Sequence, residues 1–426
     1  MAMLGVYECM QRAWRMLSIT GVLVMYSMTA SAAAEGITIE EAVRLALHNN
    51  PALQAQQQMT TAAEGELRQA RTFPNNPRLE WEGLTGHERN ATRQNARKFT
   101  TKLSQELPLG GKWHQRIQIA AAGLDRTQWD VQNAQRKLIK EVKETFYRIL
   151  FLEDKRTFAD QAVALAQRLA DIANERYRVG DSPQLEVNLA RVEVHNVRRQ
   201  RLEVLSQLTQ ARLTLNRLLG RPSDAPLAVS GTFDAPSQPL DLEPLRQQAL
   251  QQRPDLRSRT AAIDAALAEV ALARAQRVPD VDVAFVFERE EISEDVRQTF
   301  GGSVAVPLPL WNRNTGAIAA AQARTRAAAL ERTTLQHVVA TEVATTIAEL
   351  QRLRASLQLF QDTILPQSRA NLDLLQQAFA AGEMGIVPLV TEQRAFIDRH
   401  NDYLETRFAY RTSLVALESS VGGGTP

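Results

Sequence analysis

Cysteine is almost missing from this chain. Cys9 is the only one in 426 residues, so there is no intrachain disulfide and no multi-cysteine metal site, and stability must come from packing. Aromatic residues are scarce too, at 6% against 44% hydrophobic residues overall, which favours Ala- and Leu-rich helices over an aromatic-stacked sandwich. No excess of one charge exists either. Lys and Arg total 50, Asp and Glu 48, and the formal net charge is +2, so nothing suggests nucleic acid as a partner. After Glu35 no apolar run approaches the roughly 18 to 20 residues of a membrane-spanning helix. Any membrane insertion must therefore be by strands.

Enzyme chemistry is equally hard to find. His48, His87, His114, His195, His337 and His400 show no i, i+4 pairing of the kind that holds zinc. Leu109-Gly110-Gly111-Lys112 lacks the earlier glycine and the following Ser/Thr of a phosphate loop, and no nucleophile elbow or dinucleotide fingerprint occurs. The reading is of a protein that is not an enzyme and carries no catalytic residues, metal site or cofactor.

The amino terminus has a different character. Arg12 and Arg15 precede an apolar stretch from Met16 to Met28, and small residues follow from Thr29 to Ala34. That order is the one a secretory signal uses, with cleavage expected after Ala32 or Ala34, so residues 1–34 read as a signal peptide. Cys9 would leave with it.

The remainder repeats itself. Ile37-Thr38-Ile39-Glu40, followed by Ala46-Leu47 and Pro51, has its counterpart in Leu240-Asp241-Leu242-Glu243, followed by Ala249-Leu250 and Pro254. Leu107-Pro108-Leu109 returns as Leu308-Pro309-Leu310, Tyr177-Arg178-Val179-Gly180 as Phe379-Ala380-Ala381-Gly382, and Leu219-Gly220 as Val421-Gly422. A spacing of roughly two hundred positions is kept throughout, so residues 37–220 and 240–422 read as two structural repeats. The segment 221–239 is a proline-rich linker, since prolines 222, 226, 236 and 239 cannot continue a helix, and 423–426 reads as a flexible tail.

Each repeat has the order helix, two strands, very long helix, turn, half-length helix. Residues 39–72 and 183–219 read as helices, the latter with Val204, Leu208, Ala211, Leu215 and Leu218 stepping as a coiled-coil seam. Between Trp113 and Tyr177 there is no proline and only Gly123, which predicts one unbroken helix of roughly 95 to 100 Å. The second long helix carries Pro366, where a kink is expected. The Ala-rich starts, at residues 120–122 and 319–321, would let helix backbones approach closely, although helix propensity alone also accounts for them.

Alternation marks four strands of about seven to ten residues. Leu79, Trp81 and Gly83 face away from Arg78, Glu80 and Glu82; Phe99, Leu103 and Leu107 face away from Lys98, Lys102 and Glu106; Val283, Phe285 and Phe287, then Phe300 and Val304, complete the set. Soluble hairpins packed on a helix would alternate in the same way. The charged face, Arg78, Glu80, Glu82, Lys98, Lys102 and Glu106, suits a watery barrel lumen with apolar residues toward lipid. Four strands cannot close a barrel, and eight fill their own interior, so a conducting pore needs at least three copies.

With that plan, the sequence resembles the TolC family of bacterial outer-membrane efflux proteins. The resemblance rests on the doubled plan, on Leu45-Ala46-Leu47-His48-Asn49-Asn50-Pro51, and on the tips Tyr177-Arg178-Val179-Gly180 and Phe379-Ala380-Ala381-Gly382. Phe73-Pro74-Asn75-Asn76-Pro77-Arg78-Leu79-Glu80 and Leu107-Pro108-Leu109-Gly110-Gly111-Lys112 make it most similar to the heavy-metal branch of CzcC type. The resemblance implies a mainly α fold with a small β part: long antiparallel coiled-coil helices plus four membrane strands per chain, assembled as a homotrimeric α-barrel/β-barrel. It also implies an outer-membrane location with a long periplasmic part, a periplasmic adaptor (membrane fusion protein) and an inner-membrane pump of the RND type as partners, with outer-membrane lipid around the barrel. Divalent heavy-metal cations are the expected cargo; drug or type I protein export, or a soluble periplasmic scaffold, are the alternatives.

By the same resemblance, the turns at Gly180, Asp181, Ser182, Pro183 and at Gly382, Glu383, Met384 would dock the adaptor, and nearby carboxylates would narrow the aperture. Glu186 keeps the family's acidic position six residues past the first tip glycine, whereas Pro388 stands at the equivalent place in the second repeat. The candidate rim is therefore Asp181, Glu186, Glu383 and Glu392. Arg89, Arg93 and Arg97 read as an outer loop able to meet lipopolysaccharide phosphates, or simply water.

Overall fold

A computed structural model of the chain describes residues 36–88, 94–233, 241–292 and 295–423. The expected signal peptide, Arg89, Arg93, part of the linker and most of the tail lie outside the described residues. Helices α1 (Ile39–Asn49) and α2 (Pro51–Arg71) lead to strands β1 (Arg78–Glu88) and β2 (Gln94–Leu107), then to α3 (Lys112–Arg178) and α4 (Gln184–Leu218). The order then recurs: α5 (Leu242–Gln252), α6 (Pro254–Ala275), β3 (Val281–Ile292), β4 (Asp295–Ala305), α7 (Thr315–Leu359), α8 (Leu365–Ala380) and α9 (Ile386–Ser420). The first long helix is unbroken over 67 residues, as the absence of proline predicts.

Two differences from the sequence reading have local causes. Residues 39–72 form two helices, because Pro51 takes the first position of α2, where no backbone donor is needed. Asn50 is extended there, and its Oδ1 accepts from the Leu53 N–H at 3.1 Å. Arg253 and Pro254 divide α5 from α6 in the same way. In the second long helix Pro366 has no N–H to offer the preceding turn, and the chain widens into one π turn, Phe360–Ile364, before α8 resumes.

The chain packs as two compact units. The described residues of one unit are 36–46, 142–233 and 364–408. In it Phe146, Ile149, Leu215, Leu218, Leu372, Phe379, Ile386 and Leu389 are fully buried. A short parallel bridge pairs Ile37 with Val229, the Ile37 N–H donating to the Ala228 carbonyl at 2.9 Å.

The other unit comprises the described residues within 47–141, 241–363 and 409–423. Its helical core gathers Ala249, Leu256, Val339, Val343, Ile347, Leu350 and Leu417. Beside that core lies a buried ionic knot. Arg253 donates to Asp255 at 2.8 Å and to Glu342 at 2.6 Å, while Arg136 donates to the Ser419 carbonyl at 2.7 Å. Burial works against the Asp255 charge, but the Arg253 hydrogen bonds and the Arg136 charge hold its carboxyl below the usual aspartate value.

The same unit carries one antiparallel sheet, in the order β1-β2-β3-β4, with its two edge strands open. The strands have 11, 14, 12 and 11 residues, longer than the alternation alone predicts. Arg97 belongs to β2 rather than to a loop, which corrects the outer-loop reading at that residue.

Candidate functional site

The sheet register sorts the side chains into two faces. On one, cross-strand rows run Leu79, Leu103, Phe285, Gly302 and then Trp81, Thr101, Phe287, Phe300. Leu79, Trp81, Phe300 and Val304 are 65–72% exposed. Left in water, each large apolar side chain would forgo about 1.5–3 kcal/mol of burial. Trp81 stacks on Phe99 with centroids 6.2 Å apart. Phe287 and Phe300 lie 5.0 Å apart in the same row as Trp81. Beyond that aromatic row the face turns polar, with Arg97, Arg289, Glu291 and Gln298.

The opposite face holds Arg78, Glu80, Glu82, Lys98, Lys102 and Glu106, joined by Asp282, Glu288 and Glu290 of β3. All six residues named from the sequence share this face. Ion pairs cross it: Lys98 with Glu288 at 3.1 Å, and Lys102 with Glu80 at 3.7 Å. Among the described residues, one face is thus largely apolar and uncovered, the other charged, and neither edge strand has a backbone partner on its outer side.

The two tips are matching helix terminations. In the first, the Gly180 N–H bonds to the Tyr177 carbonyl and the Asp181 N–H to the Arg176 carbonyl; in the second, Gly382 bonds to Phe379 and Glu383 to Ala378. Both are Schellman turns, and they need a left-handed residue, supplied by Gly180 at φ 82° and Gly382 at φ 79°. Arg176 fastens one tip to the other. Its Nε donates to Asp181 Oδ2 at 2.8 Å, its Nη1 to the Phe379 carbonyl at 3.0 Å, and its guanidinium sits 4.7 Å over the Phe379 ring. Sequence reading missed Arg176; only its position one turn before a tip glycine hinted at a role.

The four candidate rim carboxylates separate into two kinds. Asp181 is engaged by Arg176, and Glu392 by Arg399 at 2.8 Å, with Arg399 also donating to Ser368. Glu392 is therefore an ion-paired group rather than a solvated charge. Glu186 lies in the first turn of α4, where the helix end favours negative charge. Its carboxylate packs against Gly385, and its buried Oε2 has no hydrogen-bond partner. Glu383 is exposed. Above the tips, buried Glu193 of α4 accepts from Arg394 of α9 at 2.7 Å and ties the two half-length helices together. Farther along α9, His400 stacks on Phe158 with centroids 3.8 Å apart, and burial lowers its pKa.

Two repeats of long paired helices and a four-stranded sheet with one apolar and one charged face define the class. The chain belongs to the outer membrane efflux protein family, whose pattern it matches twice, over residues 42–221 and 245–423. It is 27% identical to the cobalt-zinc-cadmium resistance protein CzcC of Cupriavidus metallidurans over 87% of each chain. It is 24% identical to the pyoverdine export outer membrane protein OpmQ of Pseudomonas putida, over 81% of this chain and 75% of that one. Among solved structures, CusC superposes with a TM-score of 0.77 at 18% identity, covering 92% of this chain and 96% of CusC, a likeness of fold. The protein is thus an outer-membrane efflux channel, a conduit rather than an enzyme.

Proposed function

We propose that three copies of this chain form the exit duct of a tripartite efflux system, and that its cargo is divalent heavy-metal cations. The observation that carries the reading is the sheet. Its exposed apolar face fits lipid, its charged face fits a water-filled lumen, and two open edges call for neighbours, since unpaired backbone groups in hydrocarbon cost several kcal/mol each. In this reading Arg78, Glu80, Glu82, Lys98, Lys102 and Glu106 line a twelve-stranded barrel. Repeats 37–220 and 240–422, joined by the 221–239 linker, supply the helical wall that continues it through the periplasm. The turns at Gly180–Pro183 and Gly382–Met384 meet a periplasmic adaptor, which connects the duct to an inner-membrane pump of the RND type. Glu186 and Glu383 are the rim carboxylates whose charge is left to act on passing cations, while Asp181 and Glu392 are held by arginines.

The metal cargo is supported by the similarity to CzcC, and the similarity to OpmQ supports a second reading, export of a small organic chelator. Protein extracted in detergent should run as a heat-dissociable trimer and give steady conductance in a planar bilayer. A detergent-independent monomer with no conductance would defeat the duct. Co-expression with a matched adaptor and pump should restore zinc, cobalt and cadmium tolerance to a sensitive host. Restored chelator export without restored metal tolerance would move the cargo to the second reading.

A further inference from the structure

We infer that a cleft between α3, α8 and α9 binds a compact, uncharged molecule carrying one hydrogen-bond acceptor, and that its occupancy tightens the second tip. The space measures about 100 Å³ and lies within a single compact unit. Helical spacing assembles it. Leu165, Leu169 and Ile172 stand at i, i+4 and i+7 on α3, Leu389 and Gln393 at i and i+4 on α9, and Phe379 comes from the last turn of α8.

Gln393 distinguishes this cleft from a plain packing gap. The residue is only 1% exposed, and its buried Nε2 has no hydrogen-bond partner among the described residues. An unpaired amide donor in a core is destabilising, and a leucine in its place would avoid the penalty. The donor therefore calls for an acceptor oxygen. Volume limits what can carry that oxygen, because about 150 Å³ is the size of a cavity that takes benzene, so about six non-hydrogen atoms fill this one. Charge limits it further. No carboxylate lines the cleft and Arg168 adds a cation to it, which excludes an amine or a metal ion. An anion would lose its hydration beside a neutral amide, whereas the carbonyl of a small cyclic ketone, lactone or lactam needs only the one donor. Leu165, Leu169 and Leu389 supply the apolar wall for its ring.

The cleft shares Phe379 with the tip. Arg176, one turn beyond Ile172 on α3, donates to the Phe379 carbonyl at 3.0 Å and lies 4.7 Å over its ring. A ligand seated against Phe379 thus rests on the residue that Arg176 holds. Opening of the second tip must then break both contacts, so a ligand that favours the closed arrangement shifts the equilibrium toward it.

The test uses the full-length processed protein in detergent, with labelled leucine and isoleucine methyl groups, and two probes of one shape: cyclopentanone, which has the acceptor oxygen, and methylenecyclopentane, which lacks it. Cyclopentanone should shift the Leu169 and Ile172 methyl resonances saturably, while Leu350, buried in the other unit, serves as the control for partition into detergent and stays unmoved. Methylenecyclopentane should bind about fivefold more weakly, and Gln393→Leu should abolish that preference. At about ten times its dissociation constant, cyclopentanone should slow amide exchange at residues 379–385 by about tenfold. Equal affinity for the two probes overturns the assigned ligand class. No saturable shift from either means that the cleft holds water alone, and overturns the site. Should Gln393→Leu disturb folding, Ile172→Phe fills the cleft with Gln393 left in place; cyclopentanone shifts that persist at Leu169 in that variant overturn the site as well. Exchange at residues 379–385 that is unchanged at saturation overturns the link to the tip.

Discussion

His400 shows how a single side chain couples this fold to pH. Stacked on Phe158 and half-buried, it resists protonation, because burial disfavours the imidazolium. Its pKa lies below the ordinary 6.5 when folded and at the ordinary value when unfolded, so the unfolded chain takes up the proton first. Stability is therefore full above about pH 6.5 and declines as pH falls from there toward the depressed folded value. His400→Phe should flatten the decline in melting temperature between about pH 7 and pH 5 in detergent, and an unchanged slope would remove this residue as its cause. Asp255 acts in the same direction at lower pH: its depressed pKa gives stability that is complete above the ordinary aspartate value and lost only below it. The His400 environment was not legible in the sequence, since Phe158 lies far along the chain from it; for Asp255 the neighbouring Arg253 was local, but its burial beside Arg136 was not. The isolated histidines, lacking zinc-site spacing, could be read as surface or packing residues, but which of them packs could not.

Among the elements, punctuation was far more legible than partnership. Proline-free stretches marked the long helices, tip glycines marked their ends, and alternation marked the strands, because each of these signals is local. The break at Asn50–Pro51 escaped the pattern for a physical reason: a proline at the first helical position leaves the apolar period on either side unchanged. Pairing across the repeats was invisible, and the tips depend on it. Arg176→Ala removes the Asp181 ion pair and the bond to the Phe379 carbonyl together. With Asp181 half-exposed, the expected cost is about 1–2 kcal/mol of local stability, read as roughly 5- to 30-fold faster amide exchange at residues 379–385. Arg176→Lys should not rescue it, because an ammonium lacks the planar fork. Exchange confined to residues 177–183 would mean that the first tip is held without the second.

At the scale of the whole molecule, the class was readable from the doubled plan, and the sharing of one face by all six charged strand residues followed from strand parity. The contribution of β3 to that face, through Asp282, Glu288 and Glu290, required the register β2-β3, which sequence alone does not supply. Opposite charges on the face are paired, Lys102 with Glu80 and Lys98 with Glu288. Removing the cationic half should expose the other: Lys102→Gln is expected to raise the cation-to-anion permeability ratio of the reconstituted pore, by reversal potential in a salt gradient. An unchanged potential would take this residue off the conducting wall.

The two unpaired edges of the sheet also have a genetic consequence. If copies close the barrel as proposed, each lends its borders to another and cannot keep its defects to itself. A mutation that spoils β1 or β4 should therefore behave as dominant when both alleles are expressed, since every ring that admits one faulty member inherits its gap, while a mutation that abolishes synthesis should stay recessive.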